Sequence, residues 1–184
     1  MSKPTYSICI DWDCADWAGA HDFTTEGDDI SDDVLYMRIS RGKNKDENTY
    51  PAATLEMTLN NESGDYYPTN SLSTLYPKVR LWLPVRVRAV FDETTYTLYY
   101  GYINKIKAYP HKNKQEIYFY ATDGTDLLAK QIIVQDMDDK TVMTDGAAVG
   151  LVLDAGGWNE TRRSIDVDGG DITNFPDTFE FTKA

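Results

Sequence analysis

Residues 52–60, AATLEMTLN, alternate without a fault, with Leu55, Met57 and Leu59 on one side and Thr54, Glu56 and Thr58 on the other. A period of two sends these sets to opposite faces of a pleated strand. A slip of one residue would exchange core for solvent, so the register is tightly specified. The same pattern recurs along the first two thirds of the chain. In TYSICIDW, 5–12, it puts Tyr6, Ile8, Ile10 and Trp12 on one face. In VLYMRISRG, 34–42, it sets Val34, Tyr36 and Arg38 against Leu35, Met37 and Ile39, and in EIYFYAT, 116–122, it opposes Ile117, Phe119 and Ala121 to Tyr118 and Tyr120. Residues 79–91 form another strand interrupted by Pro84. Proline donates nothing to a central ladder, which predicts a bend, bulge or edge there and a main strand over 85–91. Across the short turn 92–95, residues 95–109 return with β-branched and aromatic side chains, completing a long hairpin. Gly101 within it predicts a bulge or a curved strand.

The connections differ in kind. Residues 14–33 are rich in Asp, Gly, Ser and Thr without sustained period, and are expected to be irregular and partly mobile. Residues 42–51 form a charged loop closed by Pro51. After residue 122 helix-like runs appear at 123–134 and 145–158. The second has Ala147, Ala148, Leu151, Val152 and Ala155 at helical spacing and is stopped by Gly156 and Gly157. Residues 161–184 read as a short strand plus coil. The fold class is therefore mainly β: an antiparallel β-barrel or sandwich of about six strands, followed by a small α+β segment. The expected domains are 1–128, a β-barrel, and 129–184, the start of a mixed α/β unit.

Composition narrows the function classes. A net charge of −12 argues against wholesale nucleic-acid binding, which neutralises phosphates with Lys and Arg. The charge is segregated: one basic and nine acidic residues over 1–37, twelve and seven over 38–114, five and fourteen over 115–184. A basic middle between acidic ends can orient copies or partners against one another, although a solvated basic sheet face is the commoner reason for any single Lys or Arg. No opening stretch has the pattern of a signal peptide, and no run approaches the roughly 20 apolar residues of a membrane span. Cys9 and Cys14 are too few for a disulfide framework or a zinc pattern and are expected as reduced thiols, weakly favouring an intracellular origin.

Chemical sites are sparse. Asp11, Asp13 and Asp16, with Asp28, Asp29, Asp32 and Asp33, invite a calcium reading. The EF-hand template fails, however, with Ala15, Asp16 and Asp22 at its fifth, sixth and twelfth positions, and a solvated acidic loop is the better expectation. His21 and His111 fall in a loop and a hairpin turn without a hydrolase signature, and turn histidines are usually solvated. Carboxylate pairs of the glycosidase kind carry little weight, because spacing in space is not legible from sequence. GTDLLAK lacks the glycine spacing of a phosphate loop. No catalytic residue, metal ligand or cofactor is assigned. Tyr99, Tyr100 and Tyr102, beside Tyr118 and Tyr120, suit a protein interface or, alternatively, a sugar-stacking face. In the turn after residue 59, Asn60 and Asn61 can cap the strand end and Gly64 allows the reversal, while Glu62 and Asp65 have no acid, base or metal pattern nearby in sequence. Asn60, Asn61, Glu62 and Asp65 are candidate contacts at a subunit rim.

The order of these segments resembles a known family. A strand ending in ISRG, then ATLEMTLNNESGDYYPTN, a strand pair closing with LYYGYINKI, then FYATDGTDLLAK, and later GLVLDAGGW followed by RRSID, is similar to the N-terminal region of phage and prophage tail-hub proteins of the tail tip or baseplate. The resemblance spans about residues 30–166. It implies a virion structural protein without enzymatic activity, made in the bacterial cytoplasm. It also implies a homotrimer capping the tail tube through tube-like barrel domains, and contacts with the tape measure, the distal tail ring and fibres. A tail lumen would pass DNA without reading its sequence. Residues 54–60 and the hairpin 85–107 would build the barrel wall. Family members are longer than this chain, so a second barrel, a lysin or a receptor-binding part has no counterpart in it.

Overall fold

A computed structural model describes residues 3–15, 19–25, 28–42, 51–111, 114–130, 134–136, 143–158, 171–172 and 178–180. By its internal contacts the chain divides into two compact units, one of residues 1–17 and 21–126, the other of residues 18–20 and 127–184.

The first unit is a curled, half-barrel sheet of six antiparallel strands, as the alternation predicts. In chain order they are β1 (Thr5–Ile10), β2 (Val34–Ser40), β3 (Thr54–Asn60), β4 (Pro84–Phe91), β5 (Thr94–His111) and β6 (Lys114–Thr122). Their order across the sheet is β1-β4-β5-β6-β3-β2, so β1 and β2 are its edges. Curling brings the ends of non-adjacent strands together: Arg41 Nη1, just past β2, donates to Leu98 O of β5 at 2.6 Å, although β3 and β6 lie between them in the ladder.

Strand polarity dictates which residues enter the core. On β3, Leu55, Met57 and Leu59 are fully buried, and they meet Ala121, Phe119 and Ile117 of β6 in register. The inner face continues through Ile103 and Tyr99 of β5, Val85 and Val87 of β4, and Ile8 and Ile10 of β1. Within this unit the described residues form no second sheet over it. The inner face is covered instead by Trp12, Ile30, and Tyr66, Val79 and Leu83 from the long connection between β3 and β4. Trp12 stacks on Tyr66 with ring centres 6.0 Å apart, and Tyr66 meets Phe119 edge-on at 6.3 Å. The Tyr66 hydroxyl donates to Asp33, and burial together with this carboxylate pushes its pKa up.

That connection is ordered by turns placed end to end. Backbone N–H groups of Gly64, Tyr67, Asn70, Ser73 and Tyr76 each donate to the carbonyl three residues earlier, at 3.0 to 3.2 Å. Asn70 Nδ2 to Gly64 O and Ser73 Oγ to Asp65 O tie successive turns together. Lys78 Nζ reaches Asp13 Oδ1 at 2.6 Å and Arg80 donates to Cys14 O, fastening the segment to the N-terminal loop.

Three details differ from the sequence expectations. β4 begins at Pro84, opposite Tyr102, so the proline occupies the first position of a central strand, where no ladder donor is lost from the strand interior. The β4–β5 turn is only Asp92 and Glu93, both with positive φ, the geometry that matches strand twist. Gly101 is not itself a bulge. The register of β5 shifts between Tyr99 and Thr97 and again between Ile103 and Lys105, whereas Gly101 stays paired with Val85.

In the second unit, β7 (Val134–Asp136) pairs with β10 (Thr178–Glu180), and β8 (Met143–Thr144) with β9 (Asp171–Ile172), both antiparallel. The helix α1 (Gly124–Lys130) runs across the division between the units. Thr144 caps α2 (Asp145–Ala155) by accepting from Ala147 N at 3.2 Å. At the other end Trp158 N donates to Leu153 O and Gly157 N to Asp154 O, with Gly157 at φ 71°, the left-handed helix stop expected of Gly156-Gly157. Among the described residues no helix is long and apolar enough to cross a membrane.

Candidate interaction surfaces

The outer face of the sheet carries a grid fixed by strand register. Tyr36, Thr58, Tyr118 and Lys107 lie side by side across β2, β3, β6 and β5. The next row is Arg38, Glu56, Tyr120 and Lys105, and a shorter row holds Asn60, Glu116 and Tyr109. Tyr36 and Tyr109 are exposed, Tyr118 and Tyr120 half-buried. The Tyr118 hydroxyl is raised in pKa by partial burial first, then by Glu56 and by the neighbouring Tyr120, Tyr109 and Tyr36. These causes place four tyrosine rings in one neighbourhood, interleaved with charges of both signs. Sequence reasoning singled out Tyr118 and Tyr120 but missed Tyr36, Tyr109 and the lysines. The i, i+2 parity within each strand carried that signal, but the register between strands did not show in it.

The tyrosines of β5 go elsewhere. Tyr99 faces the core and is 3% exposed, with its hydroxyl buried and without a hydrogen-bond partner among the described residues. Burial, reinforced by Asp123, pushes its pKa up. Tyr100 and Tyr102 lie on the outer face but are roofed by residues 21–23. The His21 ring stacks on Tyr100 at 5.9 Å, is hydrogen-bonded to its hydroxyl, and meets Tyr102 edge-on at 5.7 Å. Phe23 contacts Tyr100 and carries Arg86 over its ring, the guanidinium carbon 4.3 Å from the centre. Tyr102 is fully buried as a result. The five tyrosines named from sequence therefore do not share a groove, and His21 belongs to a small second core rather than to a solvated turn. The His111 side chain lies outside the described residues.

The acidic N-terminal loop is also less solvated than its composition predicts. Asp11 and Asp28 are buried. Asp11 Oδ2 accepts from Asp22 N at 3.0 Å and Asp28 Oδ2 from Thr25 N at 3.1 Å, while Asp22 and Asp29 accept from Thr24 and Ser31. Each carboxylate thus satisfies a turn of its own loop. Burial, then the charge of Asp11, raises the pKa of Asp28. Hydrogen bonds from Thr24 lower that of Asp22. Among the described residues no three His, Cys, Asp or Glu side chains come together as a metal-ligand set, and Asp16 lies outside them.

In the turn after β3, Asn60 Oδ1 accepts from Glu62 N at 3.2 Å. Asn61 is fully buried and its Oδ1 accepts from Tyr66 N at 3.0 Å. Gly64 takes φ 78°, Glu62 is exposed and Asp65 half-buried. The chain matches no protein-family model and no curated protein. What the fold offers chemically is surface: an aromatic and charged outer face, and a sheet edge at β2 where Leu35 is 58% and Tyr36 54% exposed.

Proposed function

We propose that the chain is a structural component of a phage tail tip, of the hub type, acting by holding copies of itself and other tail proteins rather than by catalysis. The observation that carries this reading is the outer face of the six-stranded sheet, where Tyr36, Tyr109, Tyr118 and Tyr120 stand among Arg38, Lys105, Lys107, Glu56 and Glu116 beside the edge strand β2. Tyrosine and arginine are enriched at the buried centre of protein interfaces, and lysine and glutamate suit the polar rim. The basic middle and acidic ends of the chain support the same reading, since complementary fields orient docking partners. The finer assignment comes from the family resemblance: a trimer capping the tail tube, joined to tape measure, distal tail ring and fibres, and located in the virion. The test is mass spectrometry of purified tails together with the solution mass of the purified chain. The reading expects the chain in the particles and an oligomer in solution; a monomer absent from tails contradicts it.

A carbohydrate- or cell-surface-binding module is the rival, favoured by the same four outer tyrosines because ring faces stack on sugars. Saturable glycan binding that disappears in Tyr118→Ala and Tyr120→Ala would favour the rival. An empty glycan array leaves the structural reading ahead.

A further inference from the structure

The two edges of the six-stranded sheet are treated differently. Along β1 the chain supplies its own neighbour: Ile10 N donates to Asp28 O at 2.9 Å, Ile30 N to Ile8 O at 2.8 Å, and Cys9 bridges Asp29 antiparallel. Ser31 Oγ accepts from Ile8 N at 2.9 Å, closing that end. The inner-face residues of this edge, Ile8 and Ile10, are consequently buried. Along β2 the ladder partner among the described residues is β3 alone. Met37 and Ile39 lie on the inner face opposite Met57 and Leu55 of β3, which are fully buried, yet they remain half-buried themselves. The difference has the form of a missing strand.

We propose that the missing neighbour is β2 of a second copy of this chain, paired antiparallel about a two-fold axis at Met37; the proposal rests on the structural reading above and adds a two-fold self-contact separate from the three-fold contacts of the trimer that the resemblance implies. The sealing of β1 decides the symmetry. A head-to-tail ring through sheet edges needs both edges open, and residues 28–30 occupy β1, so edge-to-edge self-association is isologous. The β2 sequence suits this. Directly opposed residues in an antiparallel pair share a face, and centring on Met37 sets Met37 against Met37 on the inner face and Tyr36 against Arg38 twice on the outer one. Arg38, already opposite Glu56 within its own chain, then has an aromatic ring on its other flank, a complementary placement for a guanidinium. Met37 and Ile39, half-buried in the single chain, complete their burial. The bulge between Val34 and Tyr36 bends the strand end, which keeps the shared ladder short and the pair dissociable.

The test uses the full chain with Met37→Cys or Ser40→Cys, the native Cys9 and Cys14 being buried. Mild oxidation is followed on non-reducing gels, and sedimentation of the unaltered chain runs in parallel. The proposed register holds the two introduced thiols of Met37→Cys at strand-pair separation, within disulfide reach, and those of Ser40→Cys at opposite ends of the ladder. Met37→Cys is expected to cross-link about tenfold faster or more, through its high effective concentration. Arg38→Glu is expected to weaken the dimer about tenfold or more while circular dichroism stays unchanged. If Met37→Cys fails to cross-link while the unaltered chain is oligomeric, the pairing falls and the structural reading stands. Equal rates for Met37→Cys and Ser40→Cys overturn the register. A monomer at every concentration overturns the pairing, and its absence from tails as well overturns the structural reading.

Discussion

Gly101 illustrates how much a single position is decided by distant neighbours. A Cβ added there would lie 2.4 Å from Tyr99 Oη and 2.5 Å from Thr122 O, and the second of these is backbone that cannot swing away. Gly101→Ala is therefore expected to destabilise by about 1–3 kcal/mol, read as a lower urea midpoint. Tyr99→Phe removes a buried hydroxyl that has no partner among the described residues, and is expected to change stability by less than about 0.5 kcal/mol in the same assay. From sequence Gly101 predicts a bulge or a curved strand, and the curled sheet is what forms; the reason glycine is needed there, a tyrosine ring and a carbonyl closing on one spot, is tertiary and left no local trace. Asp28 is the second residue with a measurable signature. Its raised pKa means that the folded chain holds the proton more firmly, so its contribution to stability is full below the ordinary value of 3.8 and is lost as pH rises through the folded value. Asp28→Asn should flatten this part of the dependence, the segment above pH 3.8, measured as the change in urea midpoint. A variant with an unaltered pH slope would show that Asp28 titrates as if solvated.

Among the elements, β3 was the most legible and alternates half-buried and buried residues along its whole length. Met57 fills the core between Met37 and Phe119, and Met57→Ala is expected to cost about 2–5 kcal/mol by thermal or urea unfolding. The turn that follows works by hydrogen bonding rather than packing. Asn61→Ala leaves Tyr66 N without its acceptor in a buried place, at an expected cost of about 1–3 kcal/mol. Strands with one face in the core announce themselves through period two, which is why β3, β4 and β6 were readable to within a few residues. Residues 61–83 were not readable. Their order lies in consecutive turns and side-chain bonds to backbone, and their core residues Tyr66, Val79 and Leu83 follow no period. The roof over Tyr100 and Tyr102 was hidden for a related reason: His21 and Phe23 come from a loop whose composition reads as solvated. At β2 the alternation was right for Met37 and Ile39, and the bulge turned Leu35 outward against it.

At the largest scale described, the six-stranded unit, whose inner face is covered by its own loops, presents two surfaces among the described residues: the outer tyrosine face and the β2 edge. Neither was visible in the sequence: the outer face is assembled from strands far apart in the chain, and β2 is an edge only through the order in which the strands pair. The candidate residues of the turn divide the same way, Glu62 lying exposed and Asn61 serving the interior. The central claim is that this chain functions by assembling. Sedimentation of the full chain from about 1 μM to about 1 mM, the range in which weak to moderate contacts populate, addresses it most directly. The account predicts a mass that climbs above 20.9 kDa with concentration to a defined oligomer. A single species at the monomer mass across the whole range would contradict it.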